Sequence, residues 1–257
     1  MLDYPLLVLV TSFFAFWLTS WFTAHFVRRR KLDEEVHEDY DFILSATLTL
    51  LGLVIGFNLL VGVNRYDQRK LYEEQEANAI GTEYLRADLL PAADAAKVRS
   101  LLKSYLDQRI LFYTTRDDAL LPQINARTAQ LQAELWSAVT APAQAQPNPV
   151  VALAVSGMND VLNSQGYTQF SWWNRIPTGA WALMVAIAMC CNVMVGFGVR
   201  KADVKVGFLL LILPFVVSIS FFLIADIDSP RRGIIHVMPE NLQAVAASLA
   251  AAAPASR

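Results

Sequence analysis

At residues 42–63 the chain reads FILSATLTLLGLVIGFNLLVGV, and at residues 64–90 it continues NRYDQRKLYEEQEANAIGTEYLRADLL. The first run carries no charged side chain and is about as long as the ~20 residues that an α-helix needs to cross the hydrocarbon core of a bilayer. The second run is charged, yet no proline or glycine-rich break separates it from the first. We therefore predict one continuous helix from Phe42 to Leu90, with one half in lipid and the other in water.

The aqueous half of this helix keeps an apolar stripe at helical spacing. The stripe consists of Ala77, Ile80, Gly81, Tyr84 and Leu85. The charged residues that fall elsewhere on the helical wheel are Arg65, Arg69, Glu73, Glu76 and Glu83. This pattern predicts that the aqueous half packs against other helices through its apolar stripe. Pro91 disfavours helical geometry at the preceding residue, which predicts the end of the helix.

The composition is typical of a polytopic membrane protein. Of the 257 residues, 55 % are hydrophobic and 17 % are charged, and the mean hydropathy is +0.36. The net charge is −2 without a long run of one sign, so nucleic acid is not expected as a partner. The predicted spans are Tyr4–Val27, Phe42–Val63, Pro177–Val199 and Val206–Ala225. The chain is therefore expected to be an all-α protein with the lipid bilayer as its first partner.

Four parts follow in order along the chain. Residues 1–63 hold the first two membrane helices, 64–176 a helical aqueous domain, 177–226 the last two membrane helices, and 227–257 a C-terminal segment with a disordered tail. Within the aqueous domain, helical periodicity is interrupted at 140–149, TAPAQAQPNP, which predicts a linker. Residues 31–41 are charged and predict a short loop between the first two spans.

Enzyme chemistry finds no support in the sequence. The phosphate-binding glycine loop, the paired-histidine zinc motif and the nucleophile elbow are all absent from it. Cys190 and Cys191 are adjacent in an apolar run, which gives no metal-ligand spacing. No catalytic residue, metal or cofactor is predicted. Ionisable residues also avoid the middle of every predicted span, which disfavours an ion-coupled transporter.

Several stretches carry a resemblance to known membrane proteins. Gly56-Phe57 followed by Arg65-Tyr66 resembles the second membrane helix of bestrophins, which are pentameric anion channels. Glu74–Ala87, in which Gln75 departs from the pattern, Arg175–Trp181 and Asp228–Pro239 are similar to a bacterial family of bestrophin-like membrane proteins. The resemblance implies four membrane helices with a helical domain between the second and the third.

The resemblance also implies a function and a register. It implies an oligomeric channel for inorganic anions, a pentamer as in bestrophins, whose pore is lined by the second membrane helix. Bestrophin-like helices place three bulky apolar side chains four residues apart at the pore neck, and the corresponding positions are Thr49, Leu53 and Phe57. Such spacing advances about 40° per step, so the three share one side of the helix. Thr49 departs from the apolar pattern, which would make its end of the neck wetter.

A second face of the same helix is a rival for the pore axis. Asn58, Gly62, Arg65 and Arg69 lie within about 60° of one another and would offer donors and positive charge to anions. Both faces cannot point at one axis. We expect Leu53 and Phe57 at the neck and Arg65 at the aqueous mouth, where Asn58 and Arg69 are the other candidates.

Helix packing and calcium give two further expectations. Gly52 and Gly56 form a small-x-x-x-small pair that permits close approach of another helix, although each glycine could also merely relieve crowding. After the fourth span only Asp226, Asp228 and Glu240 are acidic, too few for a calcium site with six to eight oxygens, so calcium gating is not expected.

The sequence leaves two alternatives open for the orientation in the membrane and two for the function. The basic connections at 28–31 and 200–205 favour the cytoplasm for those loops, whereas the bestrophin resemblance puts the helical domain and both termini there. We follow the resemblance and expect a multi-pass protein of the bacterial plasma membrane. The alternative to a channel is a non-conducting scaffold or regulator that binds a partner through its helical domain.

Overall fold

The computed structural model describes residues 4–26, 34–198 and 204–251, and this part of the chain contains eight α-helices, two 3-10 turns and no strand. The helices are α1 (Pro5–Phe26), α2 (Glu34–Arg86), α3 (Ala92–Thr114), α4 (Leu121–Ala145), α5 (Pro149–Trp173), α6 (Thr178–Phe197), α7 (Val204–Asp228) and α8 (Glu240–Ala251). The 3-10 turns are Ala87–Leu89 and Asp118–Leu120. The predicted all-α fold is confirmed.

Four helical segments are long and apolar enough to cross a membrane: Pro5–Phe26, Glu38–Leu89, Pro149–Phe197 and Leu210–Asp228. Each of the four predicted spans overlaps one of these segments over most of its length, and this confirms the predicted membrane helices. The third segment includes both α5 and α6, of which α6 is the more apolar. The predicted basic connections at 28–31 and 200–205 lie wholly or largely outside the described residues.

Helix α2 differs from its prediction at both ends. Residues 34–41 are helical, so the loop predicted over 31–41 is wrong for this part, while 31–33 lie outside the described residues. The loop was predicted because this stretch is charged. Acidic residues near a helix N-terminus, however, interact favourably with the helix dipole and are compatible with a helix. At the other end α2 tightens into the 3-10 turn after Arg86, and Leu90 is extended before Pro91.

The chain divides into two compact units. Unit 1 comprises Met1–Tyr66 and Arg175–His236, and unit 2 comprises Asp67–Asn174 and Val237–Arg257. Residues after 227 therefore belong partly to each unit.

The core of unit 1 is formed by side chains of α1, α2, α6 and α7. Phe221 makes T-shaped ring contacts with Phe16 and Trp181, with ring centroids 5.6 and 5.9 Å away. Among the polar residues, Ser20 Oγ donates to Asn192 Oδ1 at 2.9 Å, and Asn192 Nδ2 donates to a carbonyl of its own helix. These bonds satisfy the buried amide, so Asn192 joins α1 to α6.

Unit 2 contains α3, α4, α5, α8 and the last part of α2. Apolar side chains of α3 and α4 form its core, including Leu102, Leu106, Leu131, Leu135 and Val139.

Two predictions for unit 2 are wrong. Leu85, placed on the buried stripe of α2, is 70 % exposed. Helix α4 continues to Ala145, so the linker predicted over 140–149 is wrong for 140–145, and only 146–148 separate α4 from α5. Pro142 is buried in the last turns of α4, and its carbonyl accepts from Gln146 N–H at 3.0 Å.

Candidate functional site

One face of α2 is open in unit 1. Thr49, Leu53 and Phe57 all lie on it, and the exposed fractions of Leu53 and Phe57 are 68 % and 66 %. Thr49 Oγ1 donates to Ser45 O of its own helix at 2.8 Å, which satisfies the hydroxyl without a neighbouring helix. The three predicted neck residues therefore share an open face of α2 in unit 1.

The rival face of α2 is occupied by packing within unit 1. Asn58 is buried, and its Nδ2 donates to Val54 O at 2.9 Å. A Cβ added at Gly62 would lie 3.6 Å from Ile227 Cγ2 of α7. The expectation that Asn58 offers a donor at an open mouth is thus corrected, because its side chain is buried within unit 1.

Gly52 and Gly56 lie next to the predicted neck residues in the sequence. Both are exposed, and a Cβ added at either meets nothing within 4 Å. Neither glycine is therefore required for packing inside unit 1. The space beside them is open to another helix, and their role in helix packing stays a prediction.

Arg65 and Arg69 differ in their surroundings. Arg65 is partly exposed, and no hydrogen-bond acceptor in the described part of the chain reaches its buried Nη1. Arg69 is only 2 % exposed and donates through Nε to Ser171 O at 3.2 Å. The expectation that Arg69 meets anions at the mouth is corrected, because its guanidinium is buried in unit 2.

The last part of α2 buries a row of charged side chains, which the sequence analysis missed. Arg69, Glu73, Glu76 and Glu83 are each at most 2 % exposed. With Ile80 they alternate steps of four and three residues, which places all five along one seam of the helix. This spacing could have identified the buried seam from the sequence. It was overlooked because charged residues were assumed to face solvent.

Glu76 is the centre of a buried network in unit 2. Its carboxylate pairs with Arg109 and accepts hydrogen bonds from Thr168 at 3.0 Å and Tyr113 at 3.3 Å. Burial lowers the pKa of Arg109, but the Glu76 carboxylate together with Tyr105 and Tyr113 outweighs this effect and holds that pKa above its ordinary value. The network joins α2 to α3 and α5, and its paired groups compensate for the burial of these charges.

Glu73 holds the C-terminal helix of unit 2. Its Oε1 accepts from the backbone N–H of Leu242 at 2.9 Å, and its Oε2 accepts from Asn241 Nδ2 at 2.6 Å. Burial raises the pKa of Glu73 above its ordinary value, although both bonds to α8 oppose that shift. The first turn of a helix has unpaired N–H groups, and here α2 supplies an acceptor for one of them.

A comparison with protein-family models matches residues 10–242 to the Bestrophin-like domain. The chain belongs to the bestrophin-like family. This confirms the family that the sequence resemblance indicated.

Solved structures similar to this bestrophin-like chain share its fold. A bacterial bestrophin homologue from Klebsiella pneumoniae, phased by Zn-SAD, has a TM-score of 0.65 and 11 % identity over 93 % of this chain and 96 % of that one. A mutated form of the Klebsiella homologue has a TM-score of 0.66 and 11 % identity over 94 % and 97 % of the two chains. A comparison with the sequences of curated proteins finds no match.

Two motif pieces of the bestrophin-like chain meet in unit 1. Asp228 Oδ1 accepts from the backbone N–H of Ile176 at 3.0 Å, and its Oδ2 lies 3.4 Å from Arg175 Nε. Asp226 accepts from the backbone N–H groups of Ile234 and Ile235 at 2.7 and 2.8 Å. These contacts give the aspartates structural roles, which sequence reasoning did not assign.

Gly233 completes this arrangement after α7. A Cβ at Gly233 would overlap the carbonyl oxygen of Asp226 and lie 3.1 Å from that of Ser229. Only glycine fits between these backbone groups. In the described part of the chain, no group of three or more His, Cys, Asp or Glu side chains could hold a metal ion.

Proposed function

We propose that this chain forms a homo-oligomeric anion channel in a bacterial plasma membrane, with the open face of α2 lining the pore. The observation that carries the proposal is the contrast between the two faces of α2. Leu53 and Phe57 are exposed, while Asn58 and Gly62 are packed inside unit 1. Membership of the bestrophin-like family favours a channel over an enzyme, and the bestrophins that the chain resembles make a pentamer the expected assembly.

The proposed neck is formed by Leu53 and Phe57 from every subunit. Side chains four residues apart stay on one side of a helix, so around a symmetric ring they form two successive apolar layers. An apolar constriction restricts conduction by dewetting. Thr49 gives the third layer a hydroxyl, which makes that end easier to wet. Arg65 lies two turns beyond Phe57 on α2, where its charge and unused donor would attract anions.

Subunit contact is proposed beside the neck. Gly52 and Gly56 leave open space on the surface of unit 1, and small residues allow two helix backbones to approach closely in a membrane. A second copy of this chain would place its own membrane helix against them.

The proposed orientation puts the helical domain and both termini in the cytoplasm, as in bestrophins. The charges do not decide it, because five basic residues on the other side nearly balance the basic connections: Arg65, Arg69, Lys70, Arg231 and Arg232. Ser104 is exposed on α3 and suits a cysteine label. A membrane-impermeant reagent applied to intact cells should leave Ser104→Cys unlabelled, and labelling there would reverse the orientation.

Chloride flux into liposomes that contain the purified protein tests the pore assignment. We expect Leu53→Ala and Phe57→Ala to increase flux, because each removes bulk and apolar surface from the neck. Leu183→Ala is the matched control, since Leu183 is a similarly exposed residue of α6, with 53 % exposure. An increase confined to Asn58→Ala would move the pore to the rival face.

Charge selectivity is measured in the same liposomes. Arg65→Gln should lower the ratio of chloride to potassium flux, whereas Lys70→Gln, at an exposed position of α2, should leave it unchanged. Subunit number is determined on the same preparation by mass photometry. An intact oligomer that conducts no ion would contradict the channel and favour the scaffold.

A further inference from the structure

Glu83 of α2 lies buried against α5 in unit 2. Its side chain is 0 % exposed, and within the described residues no donor forms a hydrogen bond with either carboxyl oxygen. The contact point on α5 is Gly157. A Cβ added there would overlap Glu83 Oε2 and Arg86 Nη1, so only glycine lets the two helices meet around this carboxyl group.

Two charged groups face Glu83. Arg86 lies one turn further along α2, and Asp160 lies one turn beyond Gly157 on α5. Arg86 Nη1 lies 3.9 Å from Asp160 Oδ2, so the single guanidinium is shared between two carboxyl groups. The basic residues of α3 nearby are engaged elsewhere, because Arg99 pairs with Asp88 and lies with Lys103 over the ring of Tyr84.

An ionised carboxylate in this position would be poorly stabilised. A buried charge without a hydrogen-bond donor is strongly unfavourable, whereas the neutral acid is tolerated among packed side chains. Burial accordingly raises the pKa of Glu83 from 4.5 to about 8, with a further increase from Asp160 and a partial decrease from Arg86. Glu83 therefore differs from Glu73 and Glu76, whose oxygens accept hydrogen bonds from several donors.

We propose that Glu83 is a proton-binding site that is occupied at neutral pH and controls the contact between α2 and α5. With the proton bound, the neutral side chain of Glu83 packs against Gly157, and Arg86 forms its ion pair with Asp160. When the proton leaves, the carboxylate draws Arg86 away from Asp160 and takes up water, and the contact at Gly157 loosens. Any effect on ion flux rests on the proposed function, because α2 also carries the proposed neck.

Infrared spectroscopy of the full-length protein tests the proton site directly. The C=O band of a neutral carboxylic acid should disappear as the pH is raised through about 8, and Glu83→Gln should lack this change. Glu74→Gln, at an exposed position of the same helix, is the control and should retain it. A band change that persists in Glu83→Gln, or a wild-type protein without one near this pH, would overturn the proposal.

Variants of the two neighbouring charged residues give a second test, because they should shift the titration midpoint of Glu83 in opposite directions. Asp160→Asn should lower the midpoint of the Glu83 titration, and Arg86→Gln should raise it, each by up to about one pH unit. A midpoint that moves in the same direction in both variants would exclude this arrangement.

Hydrogen exchange tests the contact itself. Above the midpoint, amides of residues 154–161 should exchange several-fold faster in the wild type than in Glu83→Gln at the same pH, and the two should agree below it. Equal exchange above the midpoint would overturn control of the contact. If the chloride flux of the wild type depends on pH and that of Glu83→Gln does not, protonation of Glu83 also controls conduction. Infrared and exchange results stand even if the protein conducts nothing.

Discussion

Glu73 Oε1 of α2 accepts a hydrogen bond of 2.9 Å from the backbone N–H of Leu242, so α2 caps the first turn of α8. Most helix caps come from a residue next to the helix in the sequence. Here the acceptor precedes the donor by 169 residues, and Asn241 adds a second bond to the same carboxylate. The last described helix of unit 2 is therefore fastened by a buried charge.

Removal of the Glu73 carboxylate should destabilise α8 more than the other helices of unit 2. We expect Glu73→Ala to lower the free energy of unfolding by about 1–3 kcal/mol, because a buried N–H loses its acceptor. Amides of residues 240–251 should exchange faster in the variant than in the wild type. Glu74→Ala, at an exposed neighbouring position, should change neither quantity. Unchanged exchange in α8 would show that Glu73 does not hold it.

The pair formed by Glu76 and Arg109 should show strong coupling. Arg109→Met leaves a buried carboxylate without its cation, which should lower the free energy of unfolding by about 3–5 kcal/mol. The double variant Glu76→Gln with Arg109→Met removes both charges and should be less destabilised than the sum of the single variants. Denaturant unfolding of all four proteins completes the cycle. Additive effects would mean that the ion pair does not stabilise unit 2.

Because of Glu83, we expect the free energy of unfolding to depend on pH. Its pKa is about 8 in the folded protein against 4.5 ordinarily, so between these values the folded state holds a proton that the unfolded state has lost. Stability from this group is complete below pH 4.5 and declines as the pH rises to about 8, by up to about 1.4 kcal/mol per pH unit. The difference in unfolding free energy between wild type and Glu83→Gln should follow this slope. A difference independent of pH would contradict the assignment.

Two glycines should respond oppositely to alanine. A Cβ at Gly196 of α6 would overlap Ser20 O and lie 2.9 Å from Thr23 Cβ on α1, so Gly196→Ala should destabilise unit 1 by about 1–3 kcal/mol. Gly166 of α5 has open space, and Gly166→Ala should stabilise its helix by about 0.5–1 kcal/mol. Thermal unfolding followed by tryptophan fluorescence measures both. Equal effects would mean that the α1–α6 contact relaxes around the added methyl group.

Apolar runs were sufficient to predict the membrane helices, because lipid requires long segments without charge. The same reasoning failed in the last part of α2, where Glu76 was placed outside and Leu85 inside. Residue type alone does not reveal that Arg109, 33 positions later in the chain, neutralises Glu76 in the core. Burial of a charge depends on its partner, and the partner is fixed only by the tertiary fold.

The candidate pore face shows a similar limit. The spacing of Leu53 and Phe57 identified one face, and that of Asn58 and Gly62 identified another, with equal regularity. Our proposal of the first face rests on Ile227 of α7, which lies beside Gly62 in unit 1 and occupies the second face. Helical periodicity shows which residues share a side. The neighbouring helices determine which side remains open.

The open space at Gly56 allows the proposed subunit contact to be tested without disturbing the packing of unit 1. A Cβ at Gly56 meets nothing within 4 Å, so Gly56→Leu should leave the unfolding temperature of the isolated subunit unchanged. If another copy packs there, the larger side chain prevents close approach of the two helices. We therefore expect the detergent-solubilised oligomer to dissociate in Gly56→Leu, as measured by mass photometry.

Gly179→Leu is the matched control, because Gly179 in the first turn of α6 also has open space around it. The same change in size there should leave the oligomer intact if the contact is specific to Gly56. Dissociation in both variants would indicate a general effect of added bulk on the membrane helices. An intact oligomer in Gly56→Leu would place the subunit contact elsewhere, and Gly56 would then be open to lipid or to the pore beside Phe57.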